Sequence, residues 1–281
     1  KQALQALAGF ARALKVKYGD IEVGFDYEPV PGLADNGNLA EDLKTLFEMV
    51  GTAASQAETG FVLFIDELQY VEESQLEALI SALHLVSQQN LPITLVGAGL
   101  PQLAGKMGSA KSYAERLFDF PTIGPLDRDS AFQAIQIPIQ SEGAEINDDV
   151  LDRVLEKTKG YPYFLQEWGK HLWDIAPSSP ITMDVLERAE TLVIAALDSS
   201  FFRVRLDRLT PMEKTYLRAM SEMGPGPHRS GDIAKQMDRG VTSLGMVRTS
   251  LINKGMIYSP LHGDTAFTVP LFDEFMKRAM P

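Results

Sequence analysis

Asp66 and Glu67 stand directly behind five apolar residues, Phe61-Val62-Leu63-Phe64-Ile65, four of which are β-branched or aromatic. An unbroken apolar run of that length predicts a strand buried on both faces, as in the middle of a parallel sheet. Charged residues that follow such a strand lie at its carboxyl edge, where open α/β sheets hold ligands. There the first carboxylate can hold Mg²⁺ and the second can polarise a water that attacks a phosphoryl group, the Walker B arrangement. The same residues also suit a core strand that ends in a solvated acidic turn.

A second apolar run, Leu91-Pro92-Ile93-Thr94-Leu95-Val96, ends in Gly97-Ala98-Gly99. Between the two runs, Ser74 to Gln89 reads as a helix, with Ser74 and Glu77 in the S-x-x-E capping spacing. Strand, helix and strand at this spacing predict a βαβ unit with parallel neighbours. The segment Gly97 to Met107 imitates a phosphate-binding loop, but the pattern G-x-x-x-x-G-K-[ST] needs glycine at position 100 and a hydroxyl at 107. The chain has Leu100 and Met107, and no other stretch of the 281 residues fits the pattern.

Upstream, Lys1–Tyr18 has helical spacing, and Ile21-Glu22-Val23-Gly24-Phe25 alternates like a short strand. Asn38 is placed to cap a helix from Leu39 to about Ser55. Downstream, Lys111–Phe118 is a short helical segment that carries Arg116. Amphipathic stretches follow at Asp129–Gln136, Asn147–Thr158, Pro162–Ile175 and Thr182–Ala196. In the aromatic group Tyr161, Tyr163, Phe164, Trp168 and Trp173, spacing along one helix favours core packing over a ligand cage.

In the last third, Thr210-Pro211-Met212-Glu213 combines an N-cap, a first-turn proline and a capping-box glutamate. Helices are expected to Met223, over Ser230–Met237 and over Thr242–Lys254, then two short strands at Ile257–Ser259 and Ala266–Val269. Three helices and a hairpin make a winged helix-turn-helix. The stripe Leu244, Val247, Leu251 faces inward, which leaves Thr242, Met246, Thr249 and Asn253 outward with Arg248 to one side. Arg229, Lys235, Arg239, Arg248 and Lys254 are candidate phosphate contacts, with Thr242, Thr249 and Asn253 on the reading face. A winged helix can equally dock protein, so either partner fits.

Composition bounds the rest. The chain has no cysteine, which excludes disulfides and thiolate chemistry, and its four histidines are too scattered to suggest a zinc site. No apolar stretch nears the ~18 residues of a membrane span, and no signal peptide opens the chain, so a cytoplasmic protein is expected. The net charge is −12, but Arg205 to Pro281 carries 11 Lys and Arg against 8 Asp and Glu. An acidic body with a mildly basic end hints at an anionic partner for that end.

The stretches Phe61–Tyr70 and Val96–Leu103, the Gly160-Tyr161-Pro162 step and the terminal winged helix together resemble the AAA+/STAND group of ATPases. The chain is most similar there to bacterial ATP-binding proteins related to origin-recognition initiators. The resemblance covers nearly the whole chain. It implies an α/β fold: an incomplete P-loop NTPase-type parallel sheet over residues 1–126, an all-helical lid over 127–200 and a winged helix over 201–281. The family's P-loop is expected upstream of Lys1, so the chain is expected to be a fragment. ATP and Mg²⁺ are then ligands of the intact protein, and self-association is left open.

Carried onto this sequence, the resemblance gives Asp66 the Mg²⁺, Glu67 the attacking water and Arg116 a charge-stabilising role, where the alternative is an ion pair with Glu115 or Asp119. It places Gly160 and Pro162 near the adenine. Two departures weaken hydrolysis: Tyr163 stands where related lids carry arginine, and Gly97-Ala98-Gly99 replaces a polar sensing residue. A nucleotide-independent regulatory module on a decayed ATPase scaffold is the alternative.

Overall fold

The computed structural model describes Ala3, Gln5 and residues 36–281. The strand expected at Ile21–Phe25 lies outside the described residues, as does the helix expected over Lys1–Tyr18 apart from Ala3 and Gln5, which are helical. The chain forms two compact units, Lys1–Thr122 and Ile123–Pro281.

In the first unit, α1 (Leu39–Gln56) begins as its cap predicts: the Asn38 side chain accepts from the Ala40 N–H at 3.2 Å. Its apolar stripe of Leu43, Leu46, Phe47 and Val50 is buried in one cluster with Leu76, Leu79, Ile80 and Leu83 of α2 (Glu73–Gln88). Helix α2 is capped two residues earlier than its S-x-x-E spacing suggested, at Glu72 rather than Ser74, with Gln75 rather than Glu77 reaching back: its side-chain oxygen accepts from the Glu72 N–H at 3.1 Å. Strands β1 (Phe61–Ile65) and β2 (Ile93–Gly97) pair in parallel, Phe61 opposite Ile93 and Ile65 opposite Gly97. Two short helices, α3 (Leu103–Ala110) and α4 (Ala114–Leu117), follow.

Burial on both faces of β1 is not what the structure shows. Phe61, Leu63 and Ile65 pack on the helical core, whereas Val62 is 48% and Phe64 74% exposed. Strand side chains alternate between faces. Among the described residues the helical core covers one face only, which leaves Val62, Phe64 and Val96 in the open.

The second unit opens with helices α5 (Arg128–Ser141), α6 (Asp148–Thr158) and α7 (Pro162–Ile175). Helix α8 (Met183–Ala196) runs through a single π-turn (Leu197–Phe202) into α9 (Arg203–Asp207). Then come α10 (Pro211–Glu222), β3 (His228–Arg229), α11 (Ser230–Gln236), α12 (Val241–Asn253), β4 (Ile257–Tyr258), β5 (Asp264–Phe267) and α13 (Phe272–Ala279). Strands β3, β5 and β4 form an antiparallel sheet in that order. The sequence reading had no place for β3 or α13.

One core runs through the whole unit. Phe164 meets Phe202 with ring centroids 5.6 Å apart, and Phe202 meets Phe272 at 5.8 Å and Phe275 at 5.1 Å. The segments expected as lid and winged helix therefore share a single apolar interior.

The capping box at Thr210 forms as expected, and Glu213 does more than cap. Its buried carboxylate accepts from the Thr210 N–H at 2.7 Å, the Ser250 hydroxyl at 2.7 Å and the Lys254 ammonium at 2.8 Å. Burial alone would raise its pKa, but these donors outweigh it and hold the group at about 2. A carboxylate depressed from 4.5 contributes stability that is fully present above pH 4.5 and is lost as pH falls towards about 2. Glu213→Gln should lower the stability of this unit by roughly 2 kcal/mol at neutral pH, because it leaves a cation and two donors badly matched. Chemical denaturation at pH 7 and pH 3 checks this: the variant and parent should differ at pH 7 and converge towards pH 3.

Candidate functional site

Parallel pairing brings the ends of β1 and β2 to one edge of the sheet, and the acid pair sits at that edge. Beyond Ile65 the backbone turns sharply. Asp66 is exposed and accepts from the Glu67 N–H at 2.7 Å, and Glu67 takes a left-handed conformation with φ 56°. Such backbone in a non-glycine residue is uncommon and collects at functional turns. A short 3₁₀ turn, Leu68–Tyr70, completes the reversal.

The turn is fastened to the loop after β2. Leu68 N–H donates to Ala98 O at 3.0 Å, and Ala98 N–H to Ile65 O at 2.9 Å. Between them lies Gln69, buried to 7% exposure. Its amide nitrogen donates to the Glu67 carboxylate, and its amide oxygen accepts from the Leu100 N–H at 3.1 Å. Gly99 must stay small, since a Cβ there would lie 2.8 Å from that oxygen. Lys106 donates to the carbonyl oxygens of Gln69 at 2.8 Å and of Val71. The lysine of the phosphate-loop imitation is thus a clamp on the acidic turn.

Sequence reasoning missed both Gln69 and Lys106. A glutamine two residues after a carboxylate has no motif to mark it, and Lys106 was set aside together with the loop that fails.

The donor set suits Mg²⁺ better than a metal caged by protein. Among the described residues no group of three or more His, Asp or Glu side chains converges. Magnesium takes one or two carboxylates and fills its octahedron with water and phosphate oxygens. Asp66, with its second oxygen free of the Glu67 contact, fits that demand.

The other candidates fall in different places. Arg116 is exposed on α4 and forms no ion pair among the described residues, with Glu115 and Asp119 included. Gly160 and Pro162 belong to the second unit. Gly160 has φ 72°, and a Cβ there would meet the Leu126 carbonyl oxygen at 2.4 Å, so a close backbone crossing accounts for the glycine. Pro162 is the first residue of α7. Of the aromatic group, Phe164 and Trp168 are buried, while Tyr163 and Trp173 are exposed.

On the terminal module, two of the candidate phosphate contacts are spent internally. Arg248 donates to Thr265 Oγ1 at 3.0 Å and Asp264 O at 2.8 Å, and Lys254 to Glu213 and Arg208 O. Arg229 is exposed but paired with Asp264 at 3.1 Å. Lys235, Arg239, Thr242, Thr249 and Asn253 remain on the surface. The centre of the outward face of α12 is Met246, 87% exposed, with Val241 beside it in the first turn.

A family model described as a domain of unknown function, DUF8462, matches residues 199–276. No curated protein matches the chain. Among solved structures, it is similar to a RuvB Holliday junction branch migration motor from Thermotoga maritima at 17% identity and a TM-score of 0.44, covering 94% of this chain and 90% of that one. It is also similar to the Orc1 protein of Aeropyrum pernix in complex with DNA at 13% identity and a TM-score of 0.42, covering 98% and 74%. Likeness at this level bears on neither activity nor partner.

Gln69→Ala removes a buried amide that joins Glu67 to Leu100. It should destabilise the first unit by about 1–2 kcal/mol, the cost of a lost buried hydrogen-bond pair with one N–H left unsatisfied. Urea unfolding followed by circular dichroism measures this, and an unchanged midpoint would mean the amide does not fasten the turn.

Proposed function

We propose that the chain is the carboxylate-bearing and effector part of an AAA+/STAND-type ATP-binding switch. The observation that carries the reading is the acid pair Asp66–Glu67 at the carboxyl edge of paired parallel strands, held by a buried glutamine. Asp66 would hold Mg²⁺ through water, and Glu67 would orient the attacking water. Bound Mg-ATP would supply the phosphoryl group and the charge that draws these residues together. Exposed Arg116 would meet a developing phosphoryl charge.

The phosphate cradle is not among these 281 residues, since the sequence contains no P-loop. On this reading the cradle comes from an upstream segment of the same polypeptide. Calorimetry with Mg-ATP should therefore register no binding by this chain alone, and binding once the chain is extended at its N-terminus by the residues its reading frame supplies. In the extended protein Glu67→Gln should retain ATP while hydrolysis falls at least about 100-fold, within the range that general-base removal costs. Absence of binding by both forms would leave the regulatory-module reading.

For the terminal module, read as a winged helix, the observation that separates DNA from protein is the character of its outward face. Met246 is at its centre with Val241 beside it, the polar residues around them, Thr242, Thr249 and Asn253, are uncharged, and Arg248 and Lys254 point their charges inward. That favours docking of a protein partner. Of the five candidate phosphate contacts, Arg229, Lys235 and Arg239 are exposed and not turned inward. Titration with duplex DNA should then give weak binding whose log–log salt slope is no steeper than about −3, at ~0.9 per neutralised phosphate. A steeper slope would restore DNA as the partner.

A further inference from the structure

The second unit contains a cavity of about 250 Å³ that none of the preceding residues explains. Its apolar lining is Trp168, Leu197 and Phe202, all buried, with Ile194 and Leu271 half-buried. Three departures from regular backbone meet there. The π-turn contributes its first and last residues, Leu197 and Phe202. Lys159, at the end of α6, has φ 53°, and Leu271, before α13, has φ 62°. A left-handed lysine at a helix end is ordinary, but a left-handed leucine is not. Strained backbone and π-turns both collect at ligand sites.

Charged side chains ring the mouth. Of its three carboxylates, Glu156 is paired with Arg153 and Glu190 with Lys157, while Glu274 forms no ion pair among the described residues. Arg278 forks onto Asp198 at 2.7 and 3.0 Å, one turn from Glu274. Lys159 is exposed and forms no ion pair among the described residues, so it is the cation left for an incoming anion.

We propose that this cavity binds a small molecule with a flat apolar body and a single anionic group. The body lies over Ile194 and Leu271, above the buried Trp168 and Phe202, and the anion faces Lys159. An apolar floor under a charged rim can hold an amphipathic small molecule, the floor supplying affinity and the rim orientation. Because its walls come from α6, α7 and α8 on one side and from Leu271 and α13 on the other, an occupant bears on both parts of the shared core.

The test uses 1-naphthalenesulfonate, with neutral 1-naphthalenemethanol beside it. The chain has two tryptophans, so its NMR spectrum has two indole N–H signals, and Trp173→Phe assigns them. The sulfonate should move the Trp168 signal in a saturable way. Lys159→Gln should weaken the sulfonate about fivefold, a little under 1 kcal/mol, and leave the alcohol within about twofold. Ile194→Phe, which fills the cavity, should weaken both about tenfold or more. A Trp168 signal that stays still up to about 5 mM probe would overturn the site, since that corresponds to binding of under about 3 kcal/mol. So would movement of the Trp173 signal alone. Equal loss of both probes in Lys159→Gln would overturn the anionic class of ligand.

Discussion

Parallel pairing of β1 with β2 is the constraint on which the candidate site rests. Two parallel strands in register must end at the same edge, so whatever follows each of them is brought together. Here an acidic turn follows one and a glycine-rich loop the other. The pairing alone leaves both free to wander. Gln69 removes that freedom by bonding Glu67 on one side and Leu100 on the other from a buried position, while Lys106 holds the carbonyl oxygens of the same turn. Preorganisation of this kind is what lets a carboxylate act on a bound phosphate without first being ordered.

Much of this was legible in the residues. The apolar runs ending at Ile65 and Gly97, with a helix between them, announced the parallel pair, and the caps at Asn38 and Thr210 announced two helix starts. Periodicity reports local structure, and these are local. What it could not report is which layers lie above a strand. Phe61 to Ile65 reads as buried throughout because every residue is apolar, yet exposure alternates along it. An apolar residue shows that burial would be favourable, not that a covering layer is among the residues at hand.

The same limit applied to charges. Arg248 sits beside the outward face of its helix by spacing, which made it a natural phosphate contact. In the fold it reaches across to β5 and ties the hairpin to the helix. Lys254 likewise neutralises Glu213 instead of facing solvent alone. Spacing places a side chain on a face but does not say what its long, flexible stem will reach. Helix α13 was missed for a related reason: its buried positions Phe272, Phe275 and Met276 span barely one turn.

This bears on how the basic end of the chain should be read. An excess of three positive charges over 77 residues suggests an anion-binding surface only if the cations are free. Arg218 is paired with Glu222, Arg229 with Asp264, Lys254 with Glu213 and Arg278 with Asp198. Four of the eleven cations are thus committed to holding the module together, and the centre of the face that spacing points outward is Met246. A partner that gains by covering exposed sulfur and methyl groups matches this surface better than one that gains by neutralising phosphates.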